Sequence, residues 1–205
     1  MEFNEISLAL QSENAASAAE AALKMVTEKN TLPEKILETV GNDIFQYKLL
    51  TTDQLCFEDG VREACKLNYC GKYGHSWTCP PACGEIEELK AKMLKYKNVF
   101  VFTTKHDIED SFDIEGMHAA HKRHDKITSS LRDICSEHSA MILAAGSCTV
   151  CEKCSCPDAP CRFPDKALTS LEACGINVMT LSKTAGINYI NGTNTVTYFT
   201  AVLFN

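Results

Sequence analysis

The chain has 205 residues, 45% of them hydrophobic, which is enough for one domain of ordinary size with a buried core and argues against wholesale disorder. Lys and Arg total 20 against 27 Asp and Glu, a net charge of −7. That balance argues against a general nucleic-acid or anionic-membrane binder, which needs a basic face. No apolar run approaches the roughly 20 residues that span a bilayer, and Met1-Glu2-Phe3-Asn4-Glu5 lacks the charged and apolar segments of a secretory signal. A cytoplasmic protein without a membrane partner is expected.

In chain order, the Ala-rich stretch from Asn14 to Lys29 is free of Gly and Pro and reads as a helix. Thr31-x-x-Glu34 is a capping-box pattern that opens a second helix, with Pro33 tolerated in its first turn and Gly41 ending it. These helices carry no evident chemistry and fit a packing or dimerising extension. Asp43 to Thr52 reads as a strand and Cys56 to Gly84 as a cysteine-rich loop. A helix follows at Glu85–Tyr96, a strand at Asn98–Thr104, and a long helix over Phe112–His138 with an apolar stripe at helical spacing. Ser139–Ala145 is a buried strand and Gly146–Pro164 a second cysteine-rich loop. Helical segments fit Ala167–Cys174 and Val178–Thr184, and Thr195–Phe204 is the last strand. The pattern predicts an α+β fold, or an α/β sandwich, with a central sheet flanked by helices. One domain is expected over 1–205: a mostly helical extension over 1–55 and a metal-binding core over 56–205.

Twelve cysteines do not suit an ordinary cytoplasmic core. Thiols stay reduced in a cytoplasm, so such a set points to metal rather than disulfides. The sharpest pattern is Cys148-Thr149-Val150-Cys151-Glu152-Lys153-Cys154 with Cys161 beyond it. Two successive two-residue gaps are how cubane iron–sulfur clusters are gripped, a more distant cysteine taking the fourth iron. Zinc usually takes separate pairs. The fourth ligand is Cys161, with Cys156 as the alternative. The second pattern is Cys65, Cys70, Cys79 and Cys83, with Gly71, Gly74, Pro80 and Pro81 around them. It fits a cluster or a four-thiolate zinc site, and Cys56 is the alternative to Cys83. Cys135, on the apolar stripe, and Cys174 read as packing residues. Ile86 stands where the cysteine loop of radical adenosylmethionine enzymes would need a cysteine, and there is no P-loop or dinucleotide fingerprint.

His118, His121 and His124 recur every third residue of the long helix. They read as a polar face with one half-buried histidine, a metal or proton role for His124 being the alternative. Arg162, directly after Cys161, would balance cluster charge or form a surface ion pair.

Three stretches resemble the predicted metal-binding family known as domain of unknown function 2284, common in anaerobic bacteria and archaea. They are Val61-Arg62 with Cys65, Cys70, Tyr73-Gly74 and Trp77-x-Cys79-Pro80-Pro81; Gly146-Ser147-Cys148, Cys151, Cys154 and Cys161-Arg162-x-Pro164; and Ser170-Leu171-Glu172-Ala173-x-Gly175-Ile176-x-Val178. The resemblance implies metal ligation by Cys65, Cys70, Cys79, Cys148, Cys151, Cys154 and Cys161, and a place in anaerobic metabolism. Some relatives sit near corrinoid methyltransfer systems. Thr169 departs from an expected Pro and Cys174 from an expected apolar residue, while Cys83 lies outside the family's motif.

The expected function is therefore an iron–sulfur protein holding two 4Fe–4S clusters and transferring electrons to a redox partner, a corrinoid-dependent system among the candidates. One alternative is an enzyme using an open cluster site as Lewis acid or redox centre. Another is a zinc-stabilised interaction module. A homodimer is compatible with the extension.

Overall fold

A computed structural model describes residues 31–205. The helix expected over Asn14–Lys29 lies outside the described residues. Four strands, β1 (Gln46–Thr51), β2 (Asn98–Asp107), β3 (Met141–Leu143) and β4 (Thr195–Phe204), form one antiparallel sheet in the order β1-β2-β4-β3. The long central strands β2 and β4 pair over their full length, from Asn98 opposite Phe204 to Asp107 opposite Thr195. Helices cover both sheet faces, an α+β architecture.

The alternation of side chains along a strand divides the core in two. Val99 and Val101 of β2 point to one face, where Leu89 and Met93 of α3 (Ile86–Met93) and Leu181 and Ala185 of α6 (Val178–Ala185) close over them. Phe100 and Phe102 point to the other face. There they meet Leu32, Ile36 and Val40 of α1 (Leu32–Val40), Leu131, and Cys135 of α5 (Arg132–Glu137). Both faces of β2 are covered, so its sequence is a continuous apolar run rather than an alternation.

The helix starts follow their caps. The Thr31 amide donates to Glu34 at 3.2 Å at the start of α1, and Gly41 ends it. Asp113 opens α4 (Ile114–Ser130), accepting from the Gly116 amide at 2.7 Å. Asn177 opens α6, accepting from the Met179 and Thr180 amides.

Four expectations are corrected. The long helix over Phe112–His138 is two helices, α4 and α5, joined at Leu131. Thr128-Ser129-Ser130 precede the break; the Ser130 hydroxyl donates to the Ile127 carbonyl at 2.7 Å, and the Leu131 amide tightens onto Thr128. Ala167–Cys174 is not helical. The backbone at Thr169–Leu171 is extended instead beside Ala144, with Ala144 donating to the Thr169 carbonyl and Leu171 to the Ala144 carbonyl. The stretch Cys56–Gly84 is not all loop: it contains α2 (Asp59–Lys66). Finally, His124 is fully buried rather than half-buried.

Candidate metal centre

The C-terminal cysteine loop leaves the sheet just after β3. Gly146 makes the turn with φ +62°, and a Cβ there would stand 3.1 Å from the His121 ring, so a side chain at this position meets both backbone strain and a close neighbour. Beyond the turn, Cys148, Cys151, Cys154 and Cys161 line one cavity with Ser76, Trp77 and Arg162. Its open volume is small, about 20 Å³.

The backbone around this cavity favours thiolate sulfur at Cys154. Partial burial works to raise the Cys154 thiol, but backbone N–H groups of Cys156, Trp77 and Ser155, with the Arg162 guanidinium, outweigh it and hold the thiol below its ordinary value. At Cys148 burial dominates and raises the thiol, although the amides of Val150 and Leu168 oppose it. Arg162 is also anchored, its guanidinium donating to the Lys153 carbonyl. Cys156 is buried outside this lining, with its Sγ 3.7 Å from the Gly74 carbonyl.

The N-terminal cysteines come from three kinds of local structure. Cys65 lies in the last turns of α2, Cys70 is exposed on the following loop, and Cys79 and Cys83 sit one helical turn apart, the Cys83 amide donating to the Cys79 carbonyl at 3.0 Å. Cys70 and Cys83 lie near enough to both Cys65 and Cys79 to bear on the charge of each. Burial pushes the Cys79 thiol up to about 11, against hydrogen bonds from Ser76 and Thr78. Burial likewise raises Cys65 and Cys83, and in both the Arg62 guanidinium opposes it. Arg62 is fixed between the carbonyls of Gly84 and Ala173. Cys56 is paired instead with Glu58 at 3.4 Å.

Among the described residues, no three Cys, His, Asp or Glu side chains converge closely enough to ligate one metal ion. The donor chemistry nonetheless fits a thiophilic metal at the C-terminal cavity: four sulfurs share one wall system, and N–H groups aimed at Cys148 and Cys154 stabilise negative sulfur.

The two loops are in direct contact, which the sequence did not reveal. The Trp77 indole donates to the Ala159 carbonyl at 3.0 Å, and the Cys148 amide donates to the Thr78 hydroxyl at 3.3 Å. The segment Ser76–Thr78, from the N-terminal loop, is thus one wall of the C-terminal cavity. Trp77-x-Cys79 was legible as a motif, but no periodicity links positions so far apart in the chain. Cys135 and Cys174 are buried in opposite halves of the core, and burial pushes both thiols up to about 12. Of the three histidines, His118 is exposed on α4, and the Nε2 of His121 lies 2.8 Å from the Ala145 carbonyl.

These features define an α+β protein with two abutting cysteine-rich loops, one of them walled by four thiols. The chain belongs to the family described as predicted metal-binding protein (DUF2284), which matches residues 48–204. No curated protein and no solved structure matches it. Among the described residues no helix is long and apolar enough to cross a membrane.

Proposed function

We propose that the protein is an electron-transfer protein holding two 4Fe–4S clusters, one on Cys148, Cys151, Cys154 and Cys161 and the other on Cys65, Cys70, Cys79 and Cys83. The observation that carries this reading is the cavity lined by the first four, with amides turned to its sulfurs. The two-residue gaps between Cys148, Cys151 and Cys154, with Cys161 beyond, suit a cluster rather than a single ion, and N–H groups directed at the sulfurs tune its potential. The contact between the loops at Trp77 and Thr78 supports transfer between clusters held on them. The partner on this reading is a redox protein, and the family resemblance keeps a corrinoid-dependent system among the candidates.

Each cluster would supply one-electron chemistry when bound. The chain's own residues order the ligands, exclude bulk water at buried Cys79, and place Arg62 and Arg162 against the accumulated negative charge.

Iron and acid-labile sulfide analysis after anaerobic purification, with a visible spectrum, tests the proposal. Iron and sulfide in equal amounts, enough for two clusters, are expected. Stoichiometric zinc with no sulfide-to-iron absorbance would replace it with the zinc interaction module. Substrate-dependent spectral change at one cluster would favour the open-site enzyme. That second reading is favoured by the exposure of Cys70, the one member of the eight that stands open to solvent.

A further inference from the structure

A second cavity lies on the other side of Cys148, with an open volume of about 330 Å³. Four cations line it: Lys122 and Lys126 of α4, Arg132 of α5, and Lys166 of the turn after the C-terminal loop. In a chain of net charge −7, four cations on one concavity are a reversal of the general charge. Among the described residues none of the four has a carboxylate within 4.0 Å. The single carboxylate in the lining, Asp125, is already engaged, accepting from the Thr149 hydroxyl and standing 3.7 Å from His121.

Lysines on a solvated helix face are ordinary, and Lys122 and Lys126 alone would be read that way. Arg132 differs. Its Nε is buried without a hydrogen-bond partner among the described residues, while its Nη2 is fixed on the Lys166 carbonyl. A buried guanidinium N–H left unpaired is costly, and a planar fork held at a cavity wall is suited to an oxyanion. The hydroxyls of Ser129 and Ser147 add neutral donors. Ala144, Val150 and Leu168 add an apolar wall, so the cavity accommodates a small organic group beside the anion.

We propose that this cavity binds a small phosphate ester, its phosphate held by Arg132, Lys126 and Lys166 and its organic part against Val150 and Leu168. Cys148 borders both cavities, so a ligand here sits beside the C-terminal cysteine site. The inference goes beyond the electron-transfer reading and stands whether that site holds iron or zinc.

Calorimetric titration of the purified full chain with glycerol 3-phosphate tests it, with metal content assayed on the same sample. Saturable one-to-one binding that weakens with added salt is expected. Arg132→Gln and Lys126→Gln should each weaken it about 10-fold or more, the loss of a charge-assisted hydrogen bond. Arg132→Lys should recover part of the loss, and Lys183→Gln, on the opposite face of the sheet, should change nothing. Circular dichroism and metal content equal to the parent's establish that the variants are folded. Absence of saturable binding, or affinities unchanged in folded Arg132→Gln and Lys126→Gln, overturns the proposal. Tighter binding of succinate than of glycerol 3-phosphate overturns the assignment to a phosphate ester.

Discussion

The two cysteine loops use the same residue in opposite settings. In the C-terminal loop, four cysteines line one cavity, and amide N–H groups hold Cys154 below its ordinary value despite partial burial. In the N-terminal loop the cysteines come from a helix, an exposed loop and a buried turn, and burial raises Cys65, Cys79 and Cys83. The C-terminal loop thus favours negative sulfur at Cys154, although burial still raises Cys148. In the N-terminal loop Cys65, Cys79 and Cys83 are all raised, so a metal bound there on the proposed reading would have to release their protons. Cysteine count alone does not distinguish these cases; the backbone around the sulfur does.

The sharpest way to break this comparison is Cys154→Ala. It should abolish the C-terminal site and remove about half of the bound metal, while the N-terminal site persists, since locally gathered ligands act as one unit. Metal and sulfide analysis of the folded variant reads the effect, and loss of all metal would mean that the loops form a single site. Cys83→Ala against Cys56→Ala sharpens the N-terminal half. The former should lose or convert one site and the latter should leave both, because Cys56 is paired with Glu58 instead.

A third test concerns the support under the C-terminal loop. His124 is buried between Thr104 at 2.8 Å and Thr200 at 2.9 Å, one face of the ring toward Tyr198. Burial, then the neighbouring His121 and His106, lower it from 6.5 to about 3. Its folded value lies below its unfolded value, so the unfolded chain binds the extra proton. Stability is intact above about pH 6.5 and falls as the pH drops from there toward 3, by at most about 1.4 kcal/mol per pH unit. Chemical denaturation from pH 7 to pH 4 should show this slope, and His124→Gln should flatten it. Equal slopes in parent and variant would assign the acid sensitivity to other groups.

The smallest expected effect is at the seam. Trp77→Phe keeps the ring but removes the donor to the Ala159 carbonyl, at a cost of about 1 kcal/mol. Limited proteolysis should then cut the Gly146–Pro164 loop faster while the N-terminal loop is unchanged. Equal acceleration at both loops would show that the seam supports both alike.

Much was legible without tertiary structure. The capped helix from Thr31 to Gly41, the strand Thr195–Phe204 and the apolar run at the start of β2 each follow from local pattern, since capping and strand burial are written in neighbouring residues. The spacing of Cys148, Cys151 and Cys154 already placed three thiols in one short loop. Tertiary structure decided the rest. Thr169–Leu171 became extended because Ala144 was there to pair with it, and His124 was buried because Thr104 and Thr200 of the sheet offered partners for both ring nitrogens. The wall that Trp77 lends to the C-terminal cavity, and the meeting of Arg132 with Lys166 at the cationic one, join residues distant in the chain. Local sequence encodes which groups are present and how each turn bends. Which groups face one another is fixed only when the helices pack on the sheet and the buried polar groups find partners.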